Sequence, residues 1–262
     1  MNTRLNDVGF IGIQNNRSRA YLQRLAQSGF RFSYAIILTD PQRKVVAGQQ
    51  QHDVSTGNAS CIGSPILPDD PFVIDESRSL IETLKAVGTN YSLVDSVDMN
   101  DDLVIEALSL RPEGVWCFSG SGGNILRRPV LSLGKRFLHM HPGAVPEFRG
   151  STTFYYSLIE SGSCAVSAIF LSSGVDMGDL VLIRHFPPPT DMSRIDYHYD
   201  PVIRSATLLS VIEDYDRTGA FSVKPQQNEG KTWYTIHPLL KHLAVLELGP
   251  NIQLDPSPDV NG

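Results

Sequence analysis

The sequence predicts an α/β protein: an open, mostly parallel twisted sheet with helices on both faces, followed by a small C-terminal extension. Two observations carry this. Short apolar runs of strand length alternate with helix-period segments, the pattern of βα units whose strands are covered on both sides. The 262-residue chain is 41% hydrophobic and 19% charged, enough apolar material for one large core and too apolar for a disordered chain.

Residues 8–13 (VGFIGI) read as a buried strand, 18–27 as a helix stopped by Gly29, and 33–38 (SYAIIL) as a second strand closed by Thr39-Asp40-Pro41. Residues 42–70 are polar and rich in Gly, Ser and Pro, and read as a long connection or lid. The alternation resumes with a helix at 77–86, a strand at 91–95, a helix at 101–110 and a strand at 114–118 (GVWCF). The turn SGSGG then leads into a short helix, and KRFLHMH is a strand ended by Pro142-Gly143. A helix is expected at 151–160, and strands at 164–171 and 180–186 form a hairpin around GVDMGD. Three prolines at 187–189 mark a boundary, which divides the chain into a domain at 1–188 and an extension at 189–262 that packs on or near the active site. Within the extension, a helix at 201–215, a strand-like KTWYTIHP and a final helix or strand to Leu248 are expected.

With 22 basic and 28 acidic side chains the net charge is -6, so no global field favours a polyanion and nucleic acid is not an expected partner. The three cysteines, Cys61, Cys117 and Cys164, are widely spaced and form no C-x-x-C pair, which fits a reducing compartment rather than a disulfide framework. No apolar stretch reaches the length of a signal peptide core or a membrane span, so a cytoplasmic protein without a membrane partner is expected.

The chemistry concentrates at 137–179. His139 and His141 are two apart on a strand and share one side of it, and the following Pro-Gly turn exposes the second imidazole. Open α/β sheets gather their active groups at such strand ends. Read alone, the pair is equally a set of hydrogen-bonded structural histidines, and Asp176 in an Asp-x-Gly turn reads first as a residue bonding its own backbone.

The run His139-Met140-His141-Pro142-Gly143-Ala144-Val145-Pro146-Glu147-Phe148-Arg149-Gly150, followed by Val175-Asp176-Met177-Gly178, resembles the formyltetrahydrofolate-dependent formyltransferase family. That family carries Asn-x-His-Pro-Ser-Leu-Leu-Pro-x-(Tyr/Phe)-x-Gly and then an Asp in a tight glycine turn. Here Asp176 follows His141 by 35 positions, the family spacing. Upstream, Gly123-Asn124-Ile125-Leu126 with Val130-Leu131 is similar to the family's Gly-x-Ile-Leu-x-x-x-Val-Leu segment. The resemblance spans about residues 112–186 and implies a Rossmann-like fold.

It further implies transfer of a formyl group from 10-formyltetrahydrofolate to an amine. His141 would be donor and proton relay, and Asp176 its orienting carboxylate. His139 stands where the family has Asn and would be an unusual oxyanion partner. Asn124, Ile125 and Leu126 on one side and Ser172, Ser173, Gly174 and Val175 on the other would line the folate cleft. Arg149, Arg127 and Tyr155 are candidate substrate contacts, the arginines for a carboxylate or phosphate. The acidic chain favours a small amine, an amino sugar or amino acid derivative, with a homodimer as the candidate assembly. An Asp200–Arg204 ion pair is expected in the extension.

Two other readings compete. His139 in the Asn position also fits a repurposed fold that binds folate or uses another acyl donor. The His-x-His pair with a distant Asp also fits a metal-dependent hydrolase, although no metal ligands are assigned in the formyltransferase reading.

Overall fold

The computed structural model describes residues 2–40, 66–67, 69–123, 125–227 and 229–247. Its strands are β1 (Thr3–Leu5), β2 (Val8–Ile13), β3 (Phe30–Phe32), β4 (Tyr34–Leu38), β5 (Asn90–Val94), β6 (Val115–Ser119), β7 (Arg136–His141), β8 (Arg149–Gly150), β9 (Cys164–Phe170), β10 (Leu180–Phe186) and β11 (Thr232–Trp233). Its α-helices are α1 (Asn16–Gln27), α2 (Leu80–Ala86), α3 (Asp102–Ser109), α4 (Arg128–Leu131), α5 (Thr153–Ser161), α6 (Asp200–Thr218) and α7 (Pro238–Glu247).

Seven strands form the central sheet in the order β10-β9-β7-β6-β2-β4-β5. The five strands from β7 to β5 are parallel, while β9 runs antiparallel to β7 and β10 antiparallel to β9. The chain leaves β2 toward β4 and returns after β5 to β6 on the other side of β2. The switch point of the sheet therefore lies between β2 and β6, beside β7.

Strand alternation sorts the apolar residues into two layers. Val8 and Phe10 of β2 and Leu138 and Met140 of β7 pack with Tyr21 and Leu25 of α1, Leu84 of α2 and Ile203 and Val211 of α6. Ile11, Trp116, Phe118 and Phe137 pack on the opposite face with Val104 and Leu108 of α3 and Val130 of α4. A polar clasp ties α1 to α6: the Arg24 guanidinium reaches Ser205 Oγ at 2.8 Å and Asp70 at 2.7 Å.

The predicted α/β alternation is present, with boundaries moved by capping. The first helix begins at Asn16 because the Asn15 side chain caps it by accepting from Ser18 N. The helix expected from 77 begins at Leu80, where Ser79 and Glu82 form a reciprocal capping box. The strand-like KTWYTIHP pairs over Thr232–Trp233 alone, against Arg149–Gly150 in β8. The final segment is helical, and β1 and β3, which pair with each other, were not foreseen. Most of the polar connection at 42–70, Cys61 and the tail after Glu247 lie outside the described residues. Among the described residues, no helix is long and apolar enough to cross a membrane.

Candidate active site

β7 alternation sends Leu138 and Met140 into the core and turns Phe137, His139 and His141 to the opposite side. The rings of His139 and His141 lie 6.3 Å apart at the end of the strand, one residue before the Pro142-Gly143 turn. His141 is 2% exposed, and its Nε2 donates to the Phe148 carbonyl at 2.6 Å. That carbonyl approaches because residue 143 is glycine: a Cβ there would lie 2.7 Å from Phe148 O and 3.1 Å from His141 Nε2. The family's Ser at this place is thus replaced by the one residue that leaves room for the contact.

Asp176 comes to the same point from the β9–β10 turn. Its backbone is left-handed, at φ 50°, a conformation Asp adopts more readily than most residues but one that needs support. Its Oδ2 accepts from Gly150 N at 2.9 Å and lies 3.3 Å from His141 Nδ1. With Nε2–H committed to Phe148 O, a neutral ring aims the Nδ1 lone pair at that carboxylate. The lone pair and the carboxylate form a close contact that becomes a charge-assisted hydrogen bond once Nδ1 takes up a proton. Burial pushes the His141 imidazole below its ordinary pKa, while Asp176 and the Phe148 carbonyl pull the other way without reversing the shift.

His139 is held well below the ordinary imidazole value, first by burial and then by Arg204, Arg17 and His141. Hydrogen bonding to the Phe118 backbone opposes this shift. Its Nδ1 is buried with no partner among the described residues, so the bond to Phe118 falls to Nε2. In that tautomer the ring presents a lone pair at Nδ1. This differs from the expected oxyanion donor, because the Nε2 proton is already spent.

The other expected contacts divide. Arg149 is 3% exposed, and its guanidinium is consumed by Gln226 Oε1 (3.1 and 2.9 Å) and Gln227 O (2.7 Å), which corrects its reading as an anion contact. Tyr155 is likewise internal: it is 4% exposed and its hydroxyl donates to Asp196 at 2.9 Å. Arg127 is exposed, with its backbone N–H held by Asn100 Oδ1 at 2.7 Å. Leu126 belongs to the core, whereas Ile125 is exposed; Asn124 lies outside the described residues. Ser172, Ser173, Gly174 and Val175 form the turn leading to Asp176, and a hydrogen bond from Gly174 N to Ser172 Oγ lies within it. A cavity of about 460 Å³ opens beside the 144–148 loop, lined by Pro146, Phe148, Ser161, Ile183 and His185, and it contains neither His139 nor Asp176.

Several residues near the site were not among the site residues expected from the sequence. Gln226 Nε2 donates to the carbonyls of Asp176 and Gly178 at 2.9 and 2.6 Å. Arg204 donates to Met140 O at 2.8 Å and pairs with Asp200 at 2.7 Å, the one ion pair that was expected. Arg17 reaches Ser119 Oγ at 3.2 Å and the Gly120 carbonyl, at the switch point.

No family model matches the chain. In sequence it is 25% identical over 154 residues to a methionyl-tRNA formyltransferase of Finegoldia magna, covering 56% of this chain and 47% of that protein. It is 20% identical over 211 residues to a methionyl-tRNA formyltransferase of Ruminiclostridium cellulolyticum, covering 80% of this chain and 62% of the relative. The chain thus spans about half to three fifths of the length of these curated relatives. In structure it matches a 4-N formyltransferase from Francisella tularensis with a TM-score of 0.55 and 12% identity, covering 94% of this chain and 90% of the other. It also matches HypX from Aquifex aeolicus in complex with tetrahydrofolic acid, with a TM-score of 0.50 and 16% identity, covering 89% and 30%. The chain thus has the fold of these formyltransferases, and its sequence is similar to methionyl-tRNA formyltransferases.

Proposed function

We propose that the protein is a folate-dependent N-formyltransferase that moves the formyl group of 10-formyltetrahydrofolate to the amine of a small acceptor, an amino sugar or amino acid derivative. The observation that carries this reading is the His141–Asp176 pair: a buried imidazole fixed through Nε2, with its free nitrogen 3.3 Å from a carboxylate. The tetrahydrofolic acid bound by HypX and the formyl transfer named for the Francisella structure support the choice of donor and reaction. The net charge of -6 favours a small acceptor over a polyanion.

The reaction forms a bond from the acceptor nitrogen to the formyl carbon and breaks the bond from that carbon to N10 of the folate. The acceptor nitrogen must lose a proton as it attacks, and N10 must gain one as it leaves. His141 Nδ1 takes the first proton, and the Asp176 carboxylate stabilises the imidazolium that results. The same proton is then available for N10. Burial keeps the resting ring neutral and ready to act as a base. Neither a hydrolase nor a repurposed binding protein gains support from the Finegoldia, Ruminiclostridium and Francisella relatives, which are named as formyltransferases.

Calorimetry with 5-formyltetrahydrofolate, followed by formyl transfer from 10-formyltetrahydrofolate to a panel of amino sugars and amino acids, tests the proposal. Saturable folate binding is expected, and His141→Ala or Asp176→Asn should lower turnover by at least about a hundredfold. Absence of folate binding, or unchanged turnover in either variant, overturns it.

A further inference from the structure

We propose that His139, His141 and Asp176 together form a binding site for one divalent transition-metal ion of the zinc class. The inference goes beyond formyl transfer and does not depend on it; an ion on His141 Nδ1 occupies the lone pair that formyl transfer uses, so the two uses of the site exclude one another at any moment. One ligand atom from each of the three side chains lies within 4.8 Å of the other two. His141 Nδ1 and Asp176 Oδ2, 3.3 Å apart, already have the separation of two ligands on a tetrahedral zinc with bonds of about 2.0–2.1 Å.

The surroundings are those of a ligand set. A metal-bound histidine almost always gives its second ring nitrogen to a carbonyl or carboxylate, which fixes its tautomer and aims its lone pair. His141 does so through Nε2 to Phe148 O at 2.6 Å, and His139 is hydrogen-bonded to the Phe118 backbone. Asp176 is supported as well: Gly150 N holds its Oδ2, and Gln226 holds its backbone in the left-handed turn.

A proton explains only part of this arrangement. It bridges two lone pairs, His141 Nδ1 and Asp176 Oδ2, and leaves the third, His139 Nδ1, buried without a partner among the described residues. A buried acceptor left unsatisfied is costly, and a metal ion satisfies all three at once. The family's Asn offers no comparable ligand at this place, so the His in position 139 is what completes the set. Two imidazoles and one carboxylate suit zinc, cobalt or ferrous iron; magnesium and calcium, which demand mostly oxygen ligands, are disfavoured. The nearby cations Arg204 and Arg17 oppose binding, but Arg204 carries its own carboxylate partner in Asp200.

The experiment uses the full, tag-free chain stripped with a chelator, titrated by calorimetry with zinc alone and by visible spectroscopy with cobalt(II) alone. One ion per chain is expected, with cobalt absorption of a four- or five-coordinate nitrogen and oxygen site and a rise in Tm on adding zinc. His139→Asn, which places the family residue in the site, should keep the circular dichroism of the wild type and lose at least tenfold in zinc affinity. Failure to bind one equivalent, or undiminished binding by a folded His139→Asn, overturns the proposal. No folate or amine enters the measurement. Metal binding without folate binding therefore contradicts the formyltransferase reading alone, and folate binding without metal binding contradicts this one alone.

Discussion

Gln226 holds the turn that carries Asp176. Its amide nitrogen donates to Asp176 O and Gly178 O at 2.9 and 2.6 Å, while its oxygen accepts twice from Arg149, at 3.1 and 2.9 Å. Both amide protons and the oxygen are used, and one side chain from beyond α6 joins the β9–β10 turn to β8. The left-handed Asp176 and the inward Arg149 are two consequences of the same contact.

Gln226 is therefore a positioning residue, and its replacement separates stability from geometry. Gln226→Ala leaves two carbonyls and a guanidinium short of partners and should cost about 1–3 kcal/mol. Gln226→Glu keeps the acceptor for Arg149 but loses both donors to the turn. The Glu variant is expected to retain more stability than the Ala variant in urea unfolding, yet to lose kcat for formyl transfer to a similar extent, with KM for the amine less affected. Equal kcat in Gln226→Glu and wild type would show that the turn needs no such support.

Gly143 makes a second, independent prediction. A methyl group there would sit 2.7 Å from Phe148 O and 3.1 Å from His141 Nε2, so either the loop or the imidazole must move. Gly143→Ala should cost about 1–3 kcal/mol as an overpacked site. Gly122→Ala is the control, since nothing lies within 4 Å of a Cβ at that position, and its change should stay within about 0.5 kcal/mol. Comparison of denaturant midpoints decides it, and equal values for the two variants would contradict the crowding argument.

The legible part of this structure was the part set by local pattern. The alternation of β2, α1, β4, β5, α3, β6 and β7 follows from periodicity and turn residues, and His139, His141 and Asp176 were found from motif spacing and then met in space. What failed depended on distant partners. Arg149 reads as a surface cation because the residues that bury it, Gln226, Gln227 and the β11 strand, arrive some eighty positions later. Tyr155 reads as a cleft aromatic because no local signal says which face of α5 will meet Asp196. Gln226 itself lies in an irregular polar segment, where a structural amide looks like any solvated one. The tautomer of His139 is a property of the Phe118 carbonyl opposite it and could not be read from the residue type.

A carboxylate remote from the site gives the clearest dependence on pH. Glu113 is 1% exposed and pairs with Arg111 at 2.9 and 3.1 Å, with Ser33 Oγ donating a third hydrogen bond at 2.9 Å. Burial by itself would raise its pKa, but the hydrogen bonds and charge of Arg111 together with Ser33 outweigh this and hold it below the ordinary glutamate value. A carboxylate whose folded pKa is depressed binds fewer protons folded than unfolded, so it stabilises fully above the unfolded value and loses that contribution as pH falls through the folded one. Glu113→Gln removes the charge and should cost about 2–3 kcal/mol at neutral pH. The gap between variant and wild type should stay constant down to about pH 5 and narrow below about pH 4, as the wild-type carboxylate is protonated toward the state the amide mimics. Denaturant unfolding at pH 7, 5 and 3.5 measures it. A gap that widens on acidification would mean that burial, rather than Arg111, controls this carboxylate.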